Sequence, residues 1–282
     1  MLHKPIKFQA IEYKGKIVFE KVKLTTFNRI PKLFNDNESC FMFIDKGSFI
    51  VRTPNKLVTF EEGSGMLAKC FNYYTETSLK QQLKNETFEL IGVLLYPELV
   101  KQIFPYQHSI EANNNYNINK IQVDKMLLNF KNSINIILDN PQLADEALIL
   151  NKLREFIILM TKATQSKSEP EFLKQIFSPY EFSFKKTIEN NLYASLSLNE
   201  LAHLCNMSLS SFNRKFKEIY KESPKKYITS KKLEKATVLL RQNNSRIAEV
   251  AYDCGFESTS TFNRLFQKSY QKSPSQFILD TK

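Results

Sequence analysis

Apolar residues along this chain change their period near its middle. Up to about Tyr96 they alternate, or gather in short runs between turn residues; from Ile121 onward they recur every three or four positions. Val22 and Leu24 alternate with Lys21 and Lys23, which predicts a strand over Val18–Phe27. A meander follows, with strands at Phe41–Ile44, Ser48–Arg52, Leu57–Phe60 and Met66–Cys70. The turns between them are Asp45-Lys46-Gly47, Thr53-Pro54-Asn55-Lys56 and Glu61-Glu62-Gly63-Ser64-Gly65. Thr87–Tyr96 is a further apolar strand, and Pro97 begins a short helix from Glu98 to Phe104. Short strands at this spacing predict a small barrel or jelly roll. Residues 1–16 carry only scattered apolar positions, and residues 105–120, with Asn113-Asn114-Asn115, read as a polar loop.

Two helices come next. Ile121–Leu138 carries Val123, Met126, Leu127, Phe130, Ile134 and Ile137 at helical spacing, and Pro141–Thr164 carries Leu143, Ala147, Leu150, Leu153, Phe156, Ile157 and Met160. Asn140-Pro141 separates them. The pair either packs on the barrel or lends one helix to a homodimer contact; the second helix, apolar around much of its girth, is the better candidate. Thr164–Pro170 is small, polar and ends in Pro, the composition of a linker, with Phe172–Phe177 as a short bridging helix. Phe182–Leu192 opens the next unit, with Phe184, Ile188 and Leu192 facing inward.

The last eighty-odd residues hold one pattern twice. The first copy runs Leu201-Ala202, Cys205-Asn206-Met207-Ser208, Phe212-Asn213-Arg214, Phe216, Ser223-Pro224, Tyr227. The second runs Val250-Ala251, Cys254-Gly255-Phe256, Phe262-Asn263-Arg264, Phe266, Ser273-Pro274, Phe277, with one extra residue between Phe256 and Phe262. Each copy reads as helix, turn, helix. Ser197 and Glu200 form a capping box, Ser208 and Ser258 cap the second helices, and Ser245 precedes the second copy. Phe212, Phe216 and Ile219 point in, as do Phe262, Leu265 and Phe266. Ser210, Asn213, Arg214 and Lys217 point out, as do Thr259, Ser260, Asn263, Arg264 and Gln267. A short helix supporting a second with amide and Arg side chains outside is the helix-turn-helix layout. Asn pairs bidentately with adenine and Arg with guanine, so these faces suit base edges. Ser223-Pro224 then starts a helix reaching about Gln242, long enough to hold the two recognition helices on one side of a duplex.

Residues from about 180 to 279 resemble the AraC/XylS family of regulators. The resemblance is carried by Ile247-Ala248-Glu249-Val250-Ala251, Gly255-Phe256-Glu257-Ser258, Phe262-Asn263-Arg264, Phe266, Ser273-Pro274 and Phe277. It implies base contacts by Ser210, Asn213 and Arg214 in the first unit and by Thr259, Ser260, Asn263 and Arg264 in the second. Lys217, Lys225, Lys226, Lys231, Lys232 and Gln267 either serve phosphates or are solvated. The strand region is similar to the cupin-like sensor barrel that often precedes this DNA-binding half. The family usually has Gly at the positions of Lys221 and Gln271, so both recognition helices must stop without it, at about 1 kcal/mol each. Asn206 stands where the second unit has Gly255, and Asn tolerates the left-handed conformation.

The expected architecture is therefore a two-domain α+β protein. Residues 1–163 form a cupin-like sensor or dimerisation domain with its helical pair, and 164–178 form a linker. Residues 179–282 form an all-α DNA-binding domain, with helix-turn-helix units at about 197–220 and 246–270 joined by a helix over 224–242. Charge supports this division. The net charge is +11, and from Leu196 to the end fifteen Lys and Arg face eight Asp and Glu. A positive surface suits a polyanion through counterion release.

Catalytic chemistry finds no footing. There is no C-x-x-C, Walker loop or G-x-G-x-x-G, and the only histidines, His3, His108 and His203, are too scattered for a metallocupin site. A DNA alkyl-transfer repair enzyme would need an activated Cys, and Cys40 and Cys70 lack the neighbours for it. A pure protein-interaction module would show no DNA sequence preference. Cys205 and Cys254 occupy equivalent apolar faces and read as packing thiols, in keeping with a cytoplasmic protein. No run is long enough to span a membrane. The expected partners are double-stranded DNA, a small-molecule effector or protein partner at the N-terminal domain, a second copy of the chain, and RNA polymerase if the regulator is an activator. No metal, cofactor or catalytic residue is expected.

Overall fold

The computed structural model describes residues 5–27, 29–32, 38–69, 72–84, 86–105, 118–177, 183–241 and 246–280. It divides into two compact units, Met1–Glu181 and Phe182–Lys282. His3, Cys70, His108, Asn113–Asn115, Gln242 and Ser245 lie outside the described residues.

The first unit begins with β1 (Lys7–Tyr13), β2 (Lys16–Thr25), β3 (Ile30–Lys32), β4 (Ser39–Lys46), β5 (Ser48–Arg52), β6 (Leu57–Glu61), β7 (Ser64–Ala68) and β8 (Tyr73–Glu76). Then follow α1 (Leu79–Leu83), β9 (Thr87–Leu95), α2 (Pro97–Val100), β10 (Asn119–Gln122), α3 (Lys125–Asp139), a 3₁₀ turn at Pro141–Leu143, α4 (Glu146–Ala163) and α5 (Glu169–Phe177). The strands form two antiparallel sheets, ordered β1-β2-β9-β4-β7-β10 and β3-β8-β5-β6. Phe88 of the larger sheet meets Phe49 of the smaller at 6.0 Å between ring centroids. On the opposite face of the larger sheet, Phe41 packs on Phe156 of α4 at 5.5 Å, and Phe43 on Phe130 of α3 at 6.3 Å. The larger sheet is thus covered on both sides, which is why β4 reads as an unbroken apolar run rather than an alternation.

Several elements fall outside the sequence expectations. β1 pairs with β2 through Lys14-Gly15, both at positive φ (51° and 74°), the backbone of a two-residue hairpin turn. Lys at the first turn position hides that signal. Gln122 and its neighbours pair with β7 instead of opening a helix. α3 starts only at Lys125, because the Asp124 carboxylate accepts the Leu127 amide and caps it. Asp145 starts α4 in the same way. The bridging helix expected at Phe172–Phe177 within the linker is α5, which starts at Glu169 and is no linker: Phe172, Leu173, Ile176 and Phe177 are buried in the core of the first unit. Its polar surface residues mask an apolar face. α4 likewise buries Ile149, Leu153, Phe156, Ile157, Leu159 and Met160 within that core, so its apolar girth is accounted for inside the chain. The exposed apolar residues of the helical pair lie instead on α3, at Met126, Leu128 and Ile136.

The second unit contains α6 (Phe184–Asn191), α7 (Leu198–Leu204), α8 (Leu209–Tyr220), α9 (Pro224–Arg241), α10 (Ile247–Asp253), α11 (Thr259–Tyr270) and α12 (Pro274–Leu279). Ser197 and Glu200 make the expected capping box on α7, and Ser208, Ser258 and Ser273 cap α8, α11 and α12. The side chain of Ser223 accepts the Lys226 amide at 3.4 Å, and its carbonyl begins α9. α10 starts after Arg246, which makes no side-chain cap. Two apolar clusters result. Phe184, Ile188, Leu201, Cys205, Phe212 and Phe216 form one, and Leu233, Ala236, Val250, Cys254, Phe262 and Phe266 the other. Burial pushes the Cys205 thiol up to about 12 and the Cys254 thiol upward, so both stay neutral packing groups.

The four helices of the two helix-turn-helix units, α7, α8, α10 and α11, each end at a left-handed residue, Asn206 (φ 53°), Lys221 (φ 59°), Gly255 (φ 78°) and Gln271 (φ 57°). A side chain at such a residue costs about 1 kcal/mol. Lys221→Gly and Gln271→Gly are therefore each expected to raise unfolding stability by about 1 kcal/mol in urea titrations, provided the left-handed geometry is the cost. Phe156→Ala, which empties a fully buried site between Phe41 and Phe130, is expected to lower it by about 3–5 kcal/mol.

Candidate nucleic-acid interface

The two recognition helices present matching faces. In α8, Phe212 and Phe216 are fully buried one turn apart, and Phe184 lies 5.5 Å and 6.1 Å from their ring centroids. At 100° per residue this anchors the side opposite Ser210, Asn213, Arg214 and Lys217, all of which are exposed. In α11 the fully buried Phe262 and Phe266 do the same work, aided by Phe256 and Phe277. Ser260, Asn263, Arg264 and Gln267 are exposed, while Thr259 sits half-buried at the edge of that face. Asn213, Arg214, Asn263 and Arg264 make no side-chain hydrogen bond or ion pair among the described residues. Their donors and acceptors are therefore unoccupied and point away from the protein, the condition for bidentate contact with base edges.

The lysines expected at phosphates are not equivalent. Lys225 and Lys226 are exposed at the start of α9, with Lys226 3.7 Å from Glu222. Lys231 is bound to Glu234 at 2.7 Å, and that hydrogen bond raises its pKa. Lys232 turns inward: its ammonium donates to the Gly255 carbonyl at 2.6 Å, and burial lowers its pKa. It is engaged within the domain rather than offered to a phosphate, because its position on α9 faces the second helix-turn-helix. A cleft of about 710 Å³ brings Ser223, Lys225 and Lys226 beside Lys268 and Ser269 at the end of α11. Sequence spacing gave no sign of that grouping, since some forty residues separate the two sides.

Among the described residues, the first unit buries many aromatic side chains. Phe27, Phe49, Phe60 and Phe88 are buried there, with a polar group of Glu20, Lys32, Glu38, Cys40 and Tyr73 beside them. Lys32 lies 3.5 Å from Glu38. Burial raises the Glu20 pKa and pushes the Cys40 thiol up to about 12, so Cys40 has none of the thiolate character of a nucleophile. Glu76 holds Arg29 and Arg52 at 2.9 Å and 2.8 Å. No group of His, Cys, Asp and Glu suited to a metal occurs among the described residues, and no helix of them is long and apolar enough to cross a membrane.

Comparison with known proteins matches both halves. Residues 201–279 match a helix-turn-helix domain family, and residues 39–175 match the ExsA N-terminal regulatory domain family. The HTH-type transcriptional regulator GbdR of Pseudomonas aeruginosa is 39% identical over 72 residues, 26% of this chain. The chain spans about 20% of the length of that relative. Among solved structures, the C-terminal domain of the two-component response regulator yesN from Fusobacterium nucleatum is 28% identical, over 34% of this chain and 93% of that one, with a TM-score of 0.33. Unsaturated fatty acid-bound ToxT from Vibrio cholerae is 15% identical, over 99% and 97% of the two chains, with a TM-score of 0.38. A regulatory domain of the ExsA type followed on one chain by two linked helix-turn-helix units makes this protein a member of the AraC/XylS family.

Proposed function

We propose that this chain is a sequence-specific DNA-binding transcription regulator that sets α8 and α11 into consecutive major grooves on one face of a duplex. The observation that carries this reading is the pair of matching, unoccupied Asn-Arg faces, Asn213-Arg214 and Asn263-Arg264, on two helix-turn-helix units joined by one continuous helix. The 18 residues of α9 span about 27 Å at about 1.5 Å each, close to the roughly 34 Å between groove faces one turn apart. Ser210, Asn213, Arg214, Ser260, Asn263 and Arg264 read base edges, with Thr259 at the margin. Lys217, Lys225, Lys226 and Gln267 meet phosphates.

The first unit regulates: it senses an effector or protein partner, or dimerises, and shifts the population of binding-competent arrangements. The protein works without catalysis in the cytoplasm, and if it is an activator its partner is RNA polymerase. The DNA-binding domain begins near Phe182, and α5 belongs to the regulatory unit.

Selection from a random duplex library at two salt concentrations tests the reading. Enrichment of two short blocks about one turn apart is expected, with affinity falling steeply as salt rises; salt-sensitive binding without any enriched block would refute groove readout. Arg214→Ala and Arg264→Ala are each expected to cost about 1–3 kcal/mol at the selected site and to relax one base position. Lys217→Ala is expected to weaken all sequences alike and to reduce the salt slope by about one. Both outcomes are measurable by fluorescence anisotropy on matched and scrambled duplexes.

A further inference from the structure

The two helix-turn-helix turns have the same backbone but different surroundings. Asn206 is exposed, whereas Gly255 is buried. A Cβ at Gly255 would come within 2.2 Å of the Tyr193 carbonyl oxygen. Tyr193 belongs to the turn between α6 and α7, so the turn of the second unit lies backbone to backbone against the bracket of the first. Lys232, from the middle of α9, joins them. Its Nζ donates to Gly255 O at 2.6 Å and to Ala194 O at 3.4 Å, while Ser195 Oγ donates to the same Gly255 oxygen at 3.4 Å. Lys235, nearly one turn further on, donates to Asp253 O at 2.7 Å and stands 4.2 Å from the Tyr193 ring centroid. The last carbonyls of a helix lack intrahelical acceptor bonds and carry the negative end of its dipole, so two ammonium groups there are well placed. No such pair attends the end of α7 among the described residues.

This arrangement matters because the two halves have separate apolar cores, one around Phe212 and Phe216, the other around Phe262 and Phe266. Each core holds its own recognition helix. Neither alone sets the angle and distance between the two. We propose that Lys232, with Lys235, Tyr193 and Gly255, is a positioning clasp that locks the second recognition helix relative to the first and so makes the spacing of the two DNA blocks a determinant of specificity. The proposal rests on the two-groove reading above. One inserted base pair moves the second block by about 3.4 Å along the duplex and about 35° around it, a displacement that a locked pair of helices cannot follow. With the clasp removed, rotation of one unit about α9 absorbs it.

The experiment compares the full-length wild type with K232M and K232R. Affinities are measured for the selected two-block duplex, for the same duplex with one base pair added or removed between the blocks, and for a single block. Independently of DNA, electron–electron resonance measures the distance distribution between labels placed at the exposed positions Glu218 and Ser269 through a noncanonical amino acid. In the wild type the one-base-pair shift is expected to cost about tenfold or more, the scale of a lost base contact. In K232M that penalty is expected to fall to about threefold or less and the distance distribution to broaden, with single-block affinity unchanged. K232R, which keeps charge and donors, restores both. A loss of stability alone would lower all affinities together and leave their ratio intact. Wild-type spacing discrimination and a wild-type distance distribution in K232M overturn the clasp. A broadened distribution in a protein that selects no two-block site upholds the clasp and overturns the groove reading instead. Should K232M fail to fold, K235M removes the outer half of the clasp, and the same two readouts decide in the same directions.

Discussion

Everything the second unit does depends on phenylalanines set one helical turn apart. Phe212 and Phe216 in α8, and Phe262 and Phe266 in α11, are wholly buried. A 12-residue helix is marginal in water without such anchoring. Once two rings fix its inner side, the rotation of the helix about its own axis is set, and with it the direction of every outward side chain. The amide and guanidinium groups can then stay exposed and unoccupied without costing order. Aromatic contacts spread this constraint: Phe216 touches Tyr220 and Tyr227, and Phe266 touches Tyr270 and Phe277. The start of α9 is thereby tied to the end of α8, and α12 to the end of α11.

The helix stops supply the second constraint. A sharp stop at the end of a helix is made by a left-handed residue, and the two helix-turn-helix units make theirs in three ways. Gly255 has both the conformation and the absence of a side chain that the Tyr193 carbonyl demands. Asn206 has the conformation alone, because its surroundings are open. Lys221 and Gln271 adopt it at some strain, compensated by caps at Ser223 and Ser273 immediately downstream. The stability of the unit is thus lower than the fold allows, without any change to the outward faces of α8 and α11.

The first unit is built on a different logic. Its larger sheet is apolar on both sides, with the smaller sheet against one face and α3 and α4 against the other. Burial of this extent leaves the charged groups inside it closely matched, as Glu76 is between Arg29 and Arg52 and Lys32 is beside Glu38. Buried pairs of this kind are poor sources of stability but strongly penalise rearrangement, since losing one partner strands the other.

The sequence by itself determined the division into a strand-rich half and a helical half, the doubled helix-turn-helix, the caps at Ser197, Ser208, Ser223 and Ser258, and the outward faces of α8 and α11. These follow from local periodicity and from side chains acting on their own backbone, which a short window of sequence contains. It did not disclose β3, β8 or β10, short strands whose partners lie far along the chain, nor β1, an edge strand whose hairpin turn carries Lys at its first position. It showed a short helix at Phe172–Phe177 but not that α5 belongs to the first unit, since its few apolar residues gain meaning only against the core they join. The fate of Lys232 was decided by tertiary structure alone. Its neighbours on α9 are also lysines, and only the packing of α10 against that helix turns one of them inward to the Gly255 carbonyl and leaves Lys225 and Lys226 in solvent. Charge in a sequence says how many cations a helix carries; which of them face water is set by what packs beside it.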